Sequence, residues 1–137
     1  QWLSFEQEQV EMTIGSLRYW TLTGKLAQRS GETVAGKRSA ALRTLGILEA
    51  ELTTRPFIAG DAYTIADMAT YPWVAGSDIR KETPDAWPAV ADWVARIAAR
   101  PATAAAWKIL ADGIPEKFSP DARAKEILFG ATQYQKR

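Results

Sequence analysis

Apolar residues recur at intervals of three and four along most of the chain, which is the spacing of helices that keep one face in a core. The first block, Trp2 to Leu26, carries two such stripes, so we expect this helix to pack against two partners. The second block, Thr33 to Thr54, carries one stripe and is typical of an amphipathic helix. No block alternates with a period of two over several residues, so the pattern predicts an all-α fold, a bundle of five to six helices. The stripes are Leu3, Val10, Ile14 and Leu17 and Trp2, Phe5, Met12 and Tyr19 in the first block, and Val34, Ala41, Leu45, Leu48 and Leu52 in the second.

Prolines, glycines and capping residues mark where further helices begin and end. The second block stops at Pro56, because the residue before a proline is pushed out of helical geometry. Pro88 and Pro101 each stand at the first position of a predicted helix, where a proline costs nothing. Residues 76–87, between these signals, are rich in turn formers and are predicted to be a loop. A short last helix is expected within residues 119–130.

The length of 137 residues suits one core. We expect residues 1–115 to form a helical domain and residues 116–137 to form a C-terminal extension with a short helix. The chain starts at Gln1 rather than at a methionine, so we also expect it to be a piece of a longer protein.

The most informative local signal is the run Thr64-Ile65-Ala66-Asp67, which has the spacing of a capping box. Thr64 is the predicted N-cap and would accept from the amide of Asp67, while the carboxylate of Asp67 would reach back to the amide of Thr64. A buried general base is the alternative for Asp67, and the box is favoured because it satisfies the carboxylate with backbone amides. Replacing either residue with alanine should then cost about 1 to 2 kcal/mol of stability.

The composition of this chain excludes several kinds of catalytic site. It contains no histidine and no cysteine, which excludes disulfides, thiol nucleophiles, Cys/His zinc sites and histidine acid–base catalysis. Lys and Arg number 17 against 16 Asp and Glu, so a nucleic-acid partner is not expected. No apolar run reaches the length of about 18 residues that a membrane span needs, and we expect a cytoplasmic protein with no membrane partner.

Two groups of residues have both a structural and a functional interpretation. Glu6, Glu8 and Glu11 lack a nearby histidine, so a solvated surface is favoured over a metal site and no metal is predicted. The chain has six tryptophans, most of which are explained by core packing. Trp20 and Trp107 lie near helix ends, where they are candidates for the wall of an apolar pocket.

The segments RPFIAGDAYTIADMATYPWV and RIAARPATAAAW together resemble the C-terminal helical domain of cytosolic glutathione S-transferases. The matching features are the F-I-A-G turn, the T-I-A-D box and the A-R-P-A connection between two helices. The resemblance spans nearly the whole chain, and the tail around Ile127 to Gly130 is similar to extensions in bacterial transferases of the Nu or Ure2-like kind.

The resemblance implies that glutathione is the co-substrate of the complete protein and that no cofactor is bound tightly. Glutathione would be held, and its thiol activated, by an N-terminal thioredoxin-like domain that is not in this chain. No catalytic residue is therefore expected here, and the 137-residue chain alone is predicted to be inactive. The implied partners are that domain, a second copy in a homodimer, and a small electrophilic or disulfide substrate.

The same resemblance places the co-substrate against the first helix. Met12, Ser16 and Tyr19 are the candidate substrate-binding residues, with Trp107 and Phe129 as possible lids. The alternative is that these five residues are core or dimer contacts. Two other functions stay open at this point: a non-catalytic glutathione S-transferase-like interaction module, and a ligand-binding regulatory domain of an unrelated all-α class. An upstream thioredoxin-like region would favour the enzyme over both.

Overall fold

The computed structural model describes residues 1–113 and residue 123, and throughout these residues the regular structure is helical apart from one isolated bridge between Phe57 and Gly60. The prediction of an all-α fold is confirmed. The predicted boundary after residue 115, the predicted helix within 119–130 and Phe129 lie outside the described residues. In chain order the elements are α1 (Trp2–Phe5), a π-helical segment (Glu6–Gly15), α2 (Ser16–Leu22), a 3-10 turn (Lys25–Gln28), α3 (Gly31–Thr54), α4 (Ile65–Ala75), α5 (Asp78–Glu82), a second 3-10 turn (Pro84–Ala86), α6 (Pro88–Ala98) and α7 (Pro101–Gly113).

The first three elements run on without a break and are called the N-terminal rod, residues 2–22. The junction residues Phe5, Glu6, Gly15 and Ser16 all have right-handed helical backbone angles. The rod ends at Leu22 rather than at the predicted Leu26, because Gly24 takes a left-handed conformation with a φ of 71°.

α3 begins at Gly31, two residues before the predicted start at Thr33. The reason is Ser30, whose hydroxyl accepts from the amide of Thr33 at 3.2 Å and so caps the helix earlier. Ser77 has the same effect in the segment predicted to be a loop: its hydroxyl accepts from the amide of Arg80 at 3.3 Å. The loop prediction for residues 76–87 was therefore wrong, since this stretch contains α5 and a 3-10 turn.

α4 starts at the predicted place and is tied down by the carboxylate of Asp67, which is fully buried. Its Oδ2 accepts from the amide of Thr64 at 2.9 Å and from the Thr64 hydroxyl at 3.2 Å. Its Oδ1 accepts from the amide of Ile58 at 3.0 Å and from the indole of Trp93 at 2.9 Å. The Thr64 hydroxyl in turn accepts from the amide of Ala66 at 3.2 Å. One carboxylate thus joins the turn before α4, the start of α4 and α6.

The core lies where the N-terminal rod, α3, α4 and α6 meet, because α3 packs on both the rod and α6 while α4 contacts the same two elements. The predicted stripes supply much of it. The buried apolar residues are Val10, Ile14, Leu17, Ala41, Leu45, Leu48, Leu52, Ile58, Ala66, Tyr71, Val74, Ile79, Val90, Trp93 and Ile97.

The start of α6 is capped from another helix. Trp87 stands at the N-cap and makes no side-chain cap bond. Instead the carboxylate of Glu49, on α3, accepts from the amides of Ala89 and Val90, each at 2.9 Å. Two donors that a helix start leaves unpaired are satisfied in this way.

The chain forms two compact units, Gln1–Ala99 and Arg100–Arg137. The first unit contains all of the core residues given above. In the second unit, α7 begins at Pro101, and the amides of Thr103 and Ala104 bond to the carbonyl of Arg100 at 3.0 and 3.3 Å.

Candidate functional site

An open groove of about 390 Å³ runs along the N-terminal rod and is called the rod groove. Three of the predicted substrate-binding residues, Met12, Ser16 and Tyr19, line it together. They share a face because they lie four, three and seven residues apart, which is one side of a helix. Its remaining lining residues are Glu11, Gly15, Arg18, Leu22 and Trp73.

The floor of the rod groove depends on a glycine that the sequence analysis did not single out. A Cβ at Gly15 would lie 3.2 Å from two carbons of the Trp73 ring, which is tighter than ordinary contact. Gly15 therefore lets the indole of Trp73 lie directly against the rod. The sequence did contain one signal for this contact between Gly15 and Trp73. Gly15 lies on the same helix face as the candidate site residues.

Exposure separates the predicted residues from the core. Met12 is 56% exposed and Tyr19 is 39% exposed, so neither is a core residue of the first unit. Ser16 is half-buried, and its hydroxyl donates to the carbonyl of Met12 at 2.8 Å. Since the single hydroxyl proton is used in that bond, Ser16 presents only its acceptor lone pairs to a ligand.

One end of the rod groove is acidic. Glu11 lines it, and Glu6 lies five residues earlier on the same π-helical segment. Glu6 is buried, so the solvated-surface interpretation was wrong for this residue. Burial raises the pKa of Glu6, the negative charge of Glu11 raises it further, and a hydrogen bond with Trp73 acts in the opposite direction.

At the other end of the groove lies Tyr19. The ammonium of Lys25 donates to the hydroxyl of Tyr19 at 2.7 Å. Two cations lie near the ring of the next residue, Trp20: the guanidinium of Arg29 is 4.9 Å and the ammonium of Lys37 is 6.0 Å from its centroid, and Lys37 also donates to the carbonyl of Met12. Trp20 is thus packed by cations beside the groove rather than forming its wall.

Arg18 stands between the rod groove and a second, smaller cavity of about 260 Å³. Its guanidinium donates to the carbonyl of Pro72 at 3.1 Å, near the end of α4. A Cβ at residue 76 would lie 2.2 Å from the Arg18 guanidinium, so a side chain there would displace the end of Arg18. The second cavity has an apolar floor and an Arg38–Glu82 ion pair at its rim.

The two predicted lid residues stay predictions. Trp107 belongs to the second unit and is 40% exposed. Phe129 lies outside the described residues. Among residues 1–113 and 123, no helix is long and apolar enough to cross a membrane, and no group of three acidic side chains is placed to hold a metal ion.

The chemistry of the rod groove is that of binding. It offers an indole face, a thioether, a leucine, a phenol and a guanidinium, which suit an apolar ligand with a few polar anchors. Activating a thiol requires a base or oriented donors with a lowered thiol pKa. The chain has no histidine and no cysteine, so a group in that role would have to be a hydroxyl, an amine, a guanidinium or a carboxylate.

These features define the class of protein. Residues 9–101, more than half of the chain, match the family model for the glutathione S-transferase C-terminal domain. The chain therefore belongs to the glutathione S-transferase C-terminal domain family, as the sequence resemblance predicted.

Individual relatives agree with this assignment. A stretch of 33 residues is 54% identical to the disulfide-bond oxidoreductase YghU of Escherichia coli K12, covering 24% of this chain and 12% of YghU. A glutathione S-transferase from Xanthobacter autotrophicus Py2 superposes with a TM-score of 0.66 at 31% identity, over 73% of this chain and 49% of that one. The glutathione transferase URE2P6 of Phanerochaete chrysosporium, solved with oxidized glutathione, gives a TM-score of 0.71 at 26% identity, over 82% and 52% of the two chains.

A third solved relative, glutathione transferase F7 from Populus trichocarpa, has a TM-score of 0.62 at 25% identity, over 83% of this chain and 54% of that one. The chain therefore spans about half the length of these solved transferases. The Nu or Ure2-like subclass stays a prediction.

Proposed function

We propose that this chain is the helical half of a glutathione-dependent transferase or reductase, and that the rod groove receives the co-substrate. Glutathione would be held, and its thiol activated, by a thioredoxin-like domain of the same protein. The observation that carries the proposal is the convergence of Met12, Ser16 and Tyr19 with Trp73 in one groove. The solved relatives, of whose length this chain covers about half and one of which holds oxidized glutathione, support a second half that binds the thiol.

In such a reaction the glutathione thiolate attacks the co-substrate. With an electrophilic carbon, a carbon–sulfur bond forms and the leaving group departs with its electron pair. With a disulfide, a new sulfur–sulfur bond forms and the other sulfur leaves as a thiolate. The task of the rod groove is to hold the co-substrate in line for attack, with Trp73, Met12 and Leu22 covering its apolar body.

The test is Tyr19→Ala in the protein with its thioredoxin-like half present. Because Tyr19 lines the groove, the variant should change kcat/KM for the co-substrate by about tenfold and leave the KM for glutathione nearly unchanged. Leu42→Ala is the matched control, since Leu42 on α3 is also 39% exposed but does not line the groove. A larger effect on glutathione than on the co-substrate would contradict the proposal.

A second measurement addresses the chain by itself. The purified 137-residue chain should conjugate glutathione to a chlorodinitrobenzene no faster than the uncatalysed reaction, because the domain that we propose to activate the thiol lies outside it. Conjugation at the rate of a complete transferase would place the active group within this chain. If the protein is silent even with a thioredoxin-like half attached, the non-catalytic interaction module is the better interpretation.

We also propose that the complete protein is a cytoplasmic homodimer. The supporting observation is the family assignment together with exposed apolar side chains on the rod and α3, including Leu3 at 42% and Ile47 at 44% exposure. Light scattering of the complete protein would give its mass in solution. A monomer at micromolar concentration would overturn this part.

A further inference from the structure

We propose that Glu6 is a positioning residue of the rod groove: its buried carboxylate holds the indole of Trp73 in place, which suits the groove to co-substrates that contain an aromatic ring. This inference rests on the proposed function for the use of the groove, and it adds the class of ligand and the residue behind that preference. The juxtaposition that carries it is a carboxylate on the rod bonded to an indole that α4 brings to the groove.

The indole of Trp73 is fastened on two sides. On one side, its N–H, the only polar group of the side chain, donates to the carboxylate of Glu6. On the side away from the nitrogen, the ring carbons Cε3 and Cζ3 would lie 3.2 Å from a Cβ at residue 15, so the ring occupies space that glycine leaves open. A ring with one contact can pivot about it, whereas contacts on two opposite sides hold it in one orientation.

The π-helical winding of the rod brings both contacts to one face. In a π-helix each amide bonds five residues back, as the amide of Ser16 does to the carbonyl of Glu11, so a turn takes nearly one residue more than the roughly 3.6 of an α-helix. Glu6 and Gly15, nine residues apart, are therefore about two turns apart and face the same way. An α-helix would put about two and a half turns between them and point them to opposite sides.

Stability alone does not explain a carboxylate at this position. Glu6 is buried, and the nearest charge that acts on it is Glu11, which repels it. The ion pairs found in residues 1–113 join Arg38 to Glu82 and Arg55 to Glu51, so no cation pairs with Glu6 there. A buried charge without a cation is costly, and an apolar side chain would avoid that cost. We therefore place the effect of Glu6 at Trp73 rather than in the core.

An indole held in one orientation favours a ligand with an aromatic ring. Trp73 lines the groove together with Met12 and Leu22, and aromatic pairs gain attraction beyond their buried area only in particular arrangements of the two rings. An indole that turns freely would lose part of this attraction to its own ordering on binding. A saturated ligand of the same skeleton depends on buried apolar area alone, so the orientation of Trp73 should matter little to it.

The experiment compares an aromatic and a saturated alcohol with the same carbon skeleton. Naphthalenemethanol and decahydronaphthalenemethanol are titrated into the 137-residue chain, and NMR shifts report both the affinity and the residues affected. The variant is Glu6→Leu, which keeps a side chain of similar size and removes the acceptor. It should weaken binding of the aromatic alcohol by about fivefold and of the saturated alcohol by less than about twofold.

The indole N–H resonance of Trp73 reports the bond directly, and its loss in Trp73→Phe assigns it. The resonance should move upfield in Glu6→Leu, because its proton is no longer held by a carboxylate. Glu6→Gln keeps an acceptor in the same place, so it should retain most of the original shift and most of the preference for the aromatic alcohol. The thermal midpoint of Glu6→Leu should be no lower than that of the unsubstituted chain, because a buried charge has been removed.

Glu8→Leu is the matched control, since Glu8 is exposed on the same segment and does not line the groove. It should leave both affinities and the Trp73 resonance unchanged. Equal weakening of the two alcohols by Glu6→Leu, an unmoved Trp73 resonance, or a failure of Glu6→Gln to retain the preference would overturn the inference. A fall in the thermal midpoint together with equal weakening would assign Glu6 a structural role only.

The same series separates this inference from the proposed function, because it measures binding without turnover. Dependence of the aromatic alcohol on Glu6 together with unaltered kinetics of Tyr19→Ala would keep Glu6 as a positioning residue in a groove that is not the co-substrate site. Altered kinetics of Tyr19→Ala without that dependence would keep the proposed function and remove the role of Glu6.

Discussion

At the scale of single residues, the buried carboxylate of Asp67 is the most consequential group in the first unit. Each of its oxygens accepts two hydrogen bonds, and all four donors are amide, hydroxyl or indole dipoles rather than cations. A buried charge is costly unless its hydrogen bonds are complete. Here they are complete, and they come from three separate segments of the chain.

Asp67→Asn should therefore lower the free energy of unfolding by about 3 kcal/mol, more than the cost of losing a helix cap alone. The amide would turn a donor toward two existing donors, either Ile58 and Trp93 or the two groups of Thr64. Chemical denaturation measures the change. Asp61→Asn, at an exposed position in the preceding turn, should shift the midpoint little, and a similar loss in both variants would contradict this account.

Part of this residue-scale arrangement was predictable. Local spacing gave the bond between Asp67 and the Thr64 amide, because the two residues are three apart. The donors at Ile58 and Trp93 lie 9 and 26 residues away in sequence, and no periodicity predicts which indole will meet which carboxylate. They depend on how α4 and α6 pack.

At the scale of elements, the start of α6 depends on a side chain from α3. Glu49→Gln keeps the shape but removes the negative charge that faces two amides at a helix start. We expect a loss of about 1 to 2 kcal/mol, read from the thermal or denaturant midpoint. The control is Glu51→Gln on the same helix, since Glu51 makes only an i,i+4 ion pair with Arg55, of the kind worth about 0.5 kcal/mol or less.

The π-helical segment provides a prediction about pH. The pKa of Glu6 is raised in the fold, chiefly by burial, so the folded protein binds a proton more readily there than the unfolded chain does. Glu6 therefore costs stability above its folded pKa, and this cost fades as the pH falls through that pKa toward the unfolded value. Glu6→Gln should be more stable than the unsubstituted chain at neutral pH, with the difference shrinking in acid.

Thermal midpoints measured from acid to neutral pH test this. Glu8→Gln is the matched control, because Glu8 is exposed on the same segment. Parallel curves for Glu6→Gln and the unsubstituted chain would show that Glu6 titrates alike in the folded and unfolded states.

The sequence predicted the helices that start at prolines. It did not predict the short helix α5 or the π-helical form of residues 6–15. Pro88 and Pro101 begin α6 and α7 as predicted. The cap at Ser77 was missed because five residues are too few to show a hydrophobic period. The π-helical segment was missed for a related reason, since ten residues of apolar spacing do not distinguish it from an α-helix.

At the scale of the whole molecule, the buried apolar residues that the structure describes form one cluster within the first unit. All fifteen buried apolar residues of that core lie between Val10 and Ile97. A chain ending at Ala99 should therefore fold, with a helical circular dichroism spectrum and one cooperative unfolding transition. A gradual loss of ellipticity with temperature would contradict the independence of this core.

The candidate site was predictable in so far as it lies on one helix. Met12, Ser16 and Tyr19 meet because the rod's own geometry places them on a common face. Trp73 was missed because it reaches the groove through the packing of α4. Tertiary contacts of this kind leave no pattern in the local sequence. The glycine at position 15 is such a pattern, but its meaning is clear only once Trp73 is known to pack against it.

The position of Trp93 has a consequence for how the chain is made. Synthesis proceeds from the amino terminus, so Asp67 emerges before the indole that completes its set of donors. A nascent chain that stops short of α6 can form at most three of the four bonds to that carboxylate. The hydrogen-bond set of Asp67 can therefore be completed only after α6 has been synthesised.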